Sequence, residues 1–226
     1  VCKHNDGTIA SPCLQADGGI YKYTSNPDSY DYSYRPSCKG LPTVTKSKYN
    51  SNATLNPGIY TGGIEVTGDK TVVTLNPGMY CLQGNLSVTS GSIIGSNLMF
   101  YMKSGSVNIS TSKPVSLYAP TEEANCIADP DLAPDCWSGF LVYMPYENNG
   151  TVFMAGGGST TYTGTVYAPG PPKSGYKCEF LGSQEDAMLN ASVICYTVKI
   201  SGTNGLTVNY DDKLNAQSPG SIELAE

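Results

Sequence analysis

Histidine and arginine are almost missing from this 226-residue chain, which holds one of each, His4 and Arg35. Most metal-hydrolase, triad and phosphoryl-transfer sites draw on these side chains, so conventional catalysis has little to build on. Charge is scarce as well. Only 14% of residues are Asp, Glu, Lys or Arg and the net charge is -6, with no basic stripe to neutralise phosphates, which excludes nucleic acid as a partner. No run of about 18 apolar residues is present and no charged-then-apolar leader opens the chain, so this fragment carries no expected membrane span and any export signal lies outside it. No window has the Ala/Glu/Lys/Leu periodicity of a long amphipathic helix, and a helical fold is excluded. No CxxC pair and no histidine beside a cysteine occurs, which disfavours zinc and thioredoxin-type chemistry.

What is abundant points to strands and turns: 25 Gly, 15 Pro and 17 Tyr. The eight cysteines form an even set, Cys2, Cys13, Cys38, Cys81, Cys126, Cys136, Cys178 and Cys195. Disulfides in an oxidising compartment are the expectation, with connectivity left open and the short loops Cys2 to Cys13 and Cys126 to Cys136 standing out as local clips. One internal repeat is clear. ATLNPGIYTGG from Ala53 returns as VTLNPGMYCLQG from Val73, displaced by twenty residues, the length of one coil of a β-solenoid. In each NPG triplet, Pro fixes φ and Gly accepts φ above zero, setting a tight turn where a rung begins.

A tyrosine between apolar neighbours then recurs along the chain, at Tyr60, Tyr80, Tyr101, Tyr118, Tyr143, Tyr167 and Tyr196. Because side chains alternate along a strand, inward flanks such as Phe100, Leu117 and Val142 predict outward tyrosines, stacked as a ladder on one face. With Trp137, these seven form the expected aromatic binding face, since Tyr supplies apolar area with a polar tip. The fold predicted is all-β: a right-handed parallel β-helix of about seven rungs over residues 51–212, handed by the rule for parallel crossovers. Loop insertions are expected near 121–138 and 170–190, the second with a single helical turn in CEFLGSQEDAMLN. Residues 1–50 read as an irregular, disulfide-clipped Cys/Tyr-rich cap, and 213–226 as a flexible tail.

The ordered motifs LNPGIYTGGI, TVVTLNPGMYCLQGNLSV, LMFYM, VSLYAPT, GFLVYMP, GGGSTTYTGTVYAPG and ASVICYTVKISGTNGLTVNYD resemble the carboxy-terminal region of TadG-like proteins. These belong to the bacterial Tad (Flp) pilus assembly system and are related to surface proteins with PilX-type leaders. The resemblance spans roughly residues 36 to 212. It implies a secreted or surface-anchored, non-enzymatic protein whose partners are pilus or filament subunits, and the family's amino-terminal hydrophobic helix is not in this sequence.

The residues also bear on rival chemistries. Polysaccharide lyases and hydrolases on β-helices need carboxylates converging on rigid rungs, yet Glu65 is the one acidic residue in the first three apolar strand runs, and the adjacent Asp211 and Asp212 read as a solvated terminus. Asp129, Asp131 and Asp135, with Glu122 and Glu123 upstream, offer oxygen ligands that a Ca²⁺ ion accepts, though Pro130 and Pro134 interrupt the ligand spacing. No other cofactor is expected. Threonine runs such as Thr160, Thr161, Thr163 and Thr165 resemble ice-binding arrays only if the same outward position repeats on successive rungs. The expectation is thus a non-catalytic extracellular structural or adhesive β-helix, with a carbohydrate-binding or polysaccharide-degrading β-helix acting on cell-surface glycans as the alternative and an ice-binding solenoid ranked behind it.

Overall fold

Short runs of alternating apolar residues, broken every few positions by Gly, Asn or Pro, make short strands that turn a corner and pair with the following coil. The computed structural model describes residues 36–121, 138–156, 159–182, 188–202, 207–209 and 211, and within them there are 21 strands and no helix. The first coil is β1 (Thr43–Val44), β2 (Lys48–Tyr49) and β3 (Ala53–Leu55); the second is β4 (Gly58–Tyr60), β5 (Ile64–Val66) and β6 (Val72–Leu75). Then come β7 (Gly78–Gln83), β8 (Leu86–Val88) and β9 (Ser92–Gly95), followed by β10 (Leu98–Ser104), β11 (Val107–Ile109) and β12 (Val115–Tyr118). The fifth coil is β13 (Phe140–Tyr143), β14 (Val152–Gly156) and β15 (Thr161–Thr163), and the sixth is β16 (Thr165–Ala168), β17 (Cys178–Gly182) and β18 (Met188–Asn190). The last is β19 (Val193–Cys195), β20 (Val198–Gly202) and β21 (Thr207–Asn209). Every third strand joins the same sheet, giving three parallel seven-stranded sheets around one bore. The parallel β-helix expected from the repeat is the fold.

The bore is filled by columns of side chains in register. In the second sheet one column runs Ile64, Leu86, Val107, Val152, Cys178, and another Tyr49, Val66, Val88, Ile109, Met154, Phe180. All are buried, each contributing about 1.5–3 kcal/mol for a large apolar side chain. Phe100, Leu117 and Val142 sit inside as expected, at most 1% exposed. Where the first sheet turns into the second, coils meet backbone to backbone: a Cβ on Gly63 would strike the Asn85 backbone, and one on Gly105 would lie 2.6 Å from the Gly84 carbonyl carbon. Both glycines also hold positive φ, 76° and 86°, so glycine is required there twice over.

The tyrosine ladder differs from expectation, and the reason is arithmetic of register. Phe100 pairs with Tyr80 and Tyr101 with Cys81, so the two rungs are offset by an even twenty residues whereas the two tyrosines are an odd 21 apart. One residue of difference moves a side chain to the opposite face. Tyr60 and Tyr80 therefore point into the bore, 1% and 0% exposed, stacked at 5.8 Å between ring centroids, with Phe100 a further 5.8 Å on. Each hydroxyl reaches back to the turn that precedes it: Tyr60 Oη donates to the Asn56 carbonyl at 2.7 Å, and Tyr80 Oη shares its one proton between the Asn76 carbonyl at 2.8 Å and that of Leu55, on the coil before, at 2.9 Å. The NPG-x-Tyr repeat is thus a folding unit whose buried phenol satisfies its own turn. Asn76 Nδ2 also donates to Asn56 Oδ1 at 2.7 Å. Tyr101, Tyr143 and Tyr167 do point outward, in register on β10, β13 and β16. Tyr118 lies on β12 in the third sheet, opposite Thr163, and Tyr196 falls one position past β19.

Two boundaries shift. β1 and β2 lie in the segment expected as cap, so the first coil starts at Thr43. The second insertion contains no helical turn among its described residues; Cys178–Gly182 is a strand, with Cys178 and Phe180 inward and Glu179 less buried, a period of two. Its corner, residues 169–177, holds the extra length. The expected insertion at 121–138 falls almost wholly on residues 122–137, outside the described residues, as do Cys2, Cys13, Cys126 and Cys136 and the tail 213–226.

Among the described residues two disulfides are in place. Cys38–Cys81 spans 43 residues and ties the segment entering the solenoid to the outside of the first sheet, and Cys178–Cys195 spans 17 and links the last two coils through the bore. By loop-closure entropy these are worth about 4 and about 3 kcal/mol. Peptide mapping without reductant should recover both linkages, and reduction should lower the denaturation midpoint. Leu117→Ala is expected to cost about 2–5 kcal/mol and Tyr80→Ala as much or more, both leaving bore cavities. Tyr118→Ala, at an exposed position, should cost under about 1 kcal/mol. Urea melts of the three rank them directly.

Candidate functional site

An outward strand face becomes a site only if its side chains reach solvent together. On the first sheet the outward column is apolar: Met79, Cys81, Met99 and Tyr101 form a second buried cluster, with Cys38, Leu41, Ile59, Phe140 and Tyr143 packed on it. Tyr143 stacks on Tyr167 with ring centroids 4.9 Å apart, and Tyr101 meets Tyr143 edge-on at 5.8 Å. Phe140 joins this ladder at 5.9 Å from Tyr143 and 6.1 Å from Tyr167. Stacked and edge-on pairs of this kind add about 0.5–1.5 kcal/mol each beyond burial. Yet Tyr101 and Tyr167 are only 6% and 4% exposed. The aromatic face is a packed outer layer, not an open platform, and of the expected binding tyrosines it keeps three, while Tyr60 and Tyr80 belong to the core. Trp137 lies outside the described residues.

The second sheet carries the charge. Its outward column places Lys48 beside Glu65 and Glu179 beside Lys199 on neighbouring rungs, and each pair closes an ion pair, at 3.3 Å and 2.6 Å. Lys199 also sits 5.6 Å from the Tyr176 ring centroid, and its ammonium is held above its ordinary pKa chiefly by the Glu179 hydrogen bond. Asp69 pairs with Lys113 at 3.0 Å. These exposed pairs are worth little in stability, but they occupy the strand carboxylates. Glu65, the one acidic residue singled out on a strand, is therefore paired with a lysine and not with a second carboxylate. Among the described residues no group of three or more His, Cys, Asp or Glu could hold a metal ion; Asp129, Asp131 and Asp135 lie outside them. The third sheet's central outward column reads Thr54, Thr74, Ile94, Ser116, Thr161. Hydroxyls thus recur on the third sheet, not on the tyrosine sheet, and isoleucine interrupts them.

The corner between first and second sheets holds what the sequence reading missed. Lys177 is fully buried, and its Nζ donates to the carbonyls of Asn148 at 2.6 Å and Gly150 at 2.7 Å, pinning residues 144–151 against residues 169–177. Asn148 Nδ2 in turn donates to the Met102 and Gly105 carbonyls at 2.8 and 3.1 Å. The pinned corner leaves Tyr146 and Tyr176 exposed. A lysine in a Gly/Pro-rich turn gives no sequence signal of burial, because the carbonyls that receive it come from a loop 27 to 29 residues away.

Burial pushes the Lys177 ammonium down to about 8, while burial raises the phenols of Tyr60 to about 12 and of Tyr80 and Tyr162 further still. For Lys177 the folded value is depressed, so between about pH 8 and its unfolded value near 10.5 the unfolded chain binds more protons and stability rises with pH. Below pH 8 both states are protonated and the full burial cost persists. The stability difference between wild type and Lys177→Met is therefore expected to change by up to about 1.4 kcal/mol per pH unit between pH 8 and 10, in favour of wild type as pH rises. Denaturant melts at stepped pH measure it.

The chain belongs to the family described as a domain of unknown function, DUF7305, which matches residues 45–217. No curated protein and no solved structure matches it. Among the described residues no helix is long and apolar enough to cross a membrane.

Proposed function

We propose that this member of the DUF7305 family is a non-catalytic structural or adhesive β-helix of the bacterial cell surface, working with Tad-type pili or another extracellular filament. The observation that carries this reading is the state of the strand carboxylates: Glu65 and Glu179 each hold a lysine on the adjacent rung. Glycan cleavage requires a base and an acid held free and converging on one bond. The two disulfides, one in the bore and one on the outer face, suit an oxidising, extracellular setting. The ordered motifs resembling TadG-like proteins supply the filament association. Exposed Tyr118, Tyr146 and Tyr176 favour a second reading, glycan binding without cleavage, because an exposed ring offers apolar area with a polar tip.

Purified protein is expected to release neither reducing ends nor unsaturated products from pectin, alginate, chitin or peptidoglycan, with or without Ca²⁺, and to bind piliated cells better than cells lacking pili. Turnover on any of these polymers that Glu65→Gln or Glu179→Gln abolishes would establish an enzyme instead. Equal binding to both cell types, lost in a Tyr146→Ala/Tyr176→Ala double variant, would favour the glycan reading over the filament one.

A further inference from the structure

A coil inside a parallel solenoid hides its bore side chains between two neighbours, whereas a coil at the end has only one. The two ends of this solenoid are finished differently. At the first coil, Tyr49 lies in the bore at 4% exposure, its hydroxyl donating to the Lys46 carbonyl at 3.0 Å and the Lys46 ammonium 5.0 Å from its ring centroid. The exposed positions around it, Thr43, Thr45, Lys46 and Lys48, are polar or cationic. At the last coil, Ile200 continues the Tyr49-to-Phe180 column in register with Phe180, yet it is 56% exposed where Phe180 is 1%. Val193, Cys195 and Val198 extend the columns of Val166, Ala168 and Cys178, which are 0% exposed, but are themselves only half-buried. Among the described residues β19 and β20 stand last in their sheets, each paired along one edge.

We propose that this open end is the interface of a tail-to-tail homodimer, with β20 of one copy pairing antiparallel with β20 of a second copy across a twofold axis. The occupant must offer an apolar bore and unpaired strand edges together, and another open solenoid end offers both. Head-to-tail stacking would instead set Ile200 against an end plugged by Tyr49 and ringed with lysines. The twofold arrangement is isologous and closes at two copies. Ile200 is the middle of the five residues of β20, so on the axis it faces its own copy, while Lys199 falls opposite Ser201 of the second copy and not opposite a like charge.

Sedimentation equilibrium over about two decades of concentration, up to about 0.2 mM, should show the mass rising from one chain to two. Ile200→Lys should hold the mass at one chain and melt at the temperature of dilute, monomeric wild type, because the residue is exposed within each copy. Ile200→Cys should form a covalent dimer on oxidation, seen on a non-reducing gel, whereas Val72→Cys, on the exposed third sheet, should not. A wild type that stays monomeric throughout, as when another part of this chain covers the end, overturns the proposal. So do assemblies that grow past two chains, an Ile200→Lys variant that dimerises like wild type, or an Ile200→Cys variant that fails to cross-link. Should Ile200→Lys unfold, the cross-link decides alone.

Discussion

Everything in this fold hangs on the parallel ladder between successive coils. Each coil's backbone hydrogen bonds are completed by its neighbours, so the offset between rungs decides which residues share a column. The alternation of side chains then decides which columns enter the bore. Tyr60 and Tyr80, twenty residues apart across an offset of 22, differ from it by two and keep their face, whereas Tyr80 and Tyr101, 21 apart across an offset of twenty, differ by one and change face. The consequences reach from the core to the surface: two tyrosines fill the bore and three more, from the same apparent pattern, coat the outside.

That outer coat changes what the first sheet can do. A bare aromatic column invites sugar rings or partner proteins, but Tyr101 and Tyr167 are buried beneath further packing and Cys81 is tied from outside by Cys38. The first sheet is therefore sandwiched between two apolar layers, which suits a rigid support better than a recognition surface. Among the described residues the strand carboxylates, Glu65 and Glu179, lie on the second sheet, each paired with a lysine on the neighbouring rung, and the third sheet's central outward column from Thr54 to Thr161 is uncharged. The remaining exposed aromatics, Tyr118, Tyr146 and Tyr176, sit at a strand end and in corner loops. Corners are where solenoids vary most freely, since a loop can lengthen there without disturbing a column.

Lys177 shows the same logic applied to a polar group. An ammonium taken out of water needs compensating acceptors, and two backbone carbonyls of the neighbouring corner provide them. The long corner from 144 to 151 is thereby held in shape by a residue of the following coil. A scaffold that fastens its loops this firmly, and staples its last coils through the bore, is built to present surfaces in constant positions, as the structural or adhesive role proposed above would require.

The sequence by itself determined the class of fold, because the signals involved are local. The NPG turns, the Gly and Asn corners and the two-residue alternation each act within a few positions, and the twenty-residue repeat shows that the units are alike. Phe100, Leu117 and Val142 could be placed inside from their neighbours alone. Whether Tyr80 faces the same way as Tyr101, that Cys38 meets Cys81, that Cys178–Gly182 is a strand and not a helical insertion, and that Lys177 is buried were decided only by tertiary structure. Each depends on the offset between coils or on a loop more than fifteen residues distant, and those offsets are set by how many residues each corner uses, a quantity settled when the bore packs and not by any single rung.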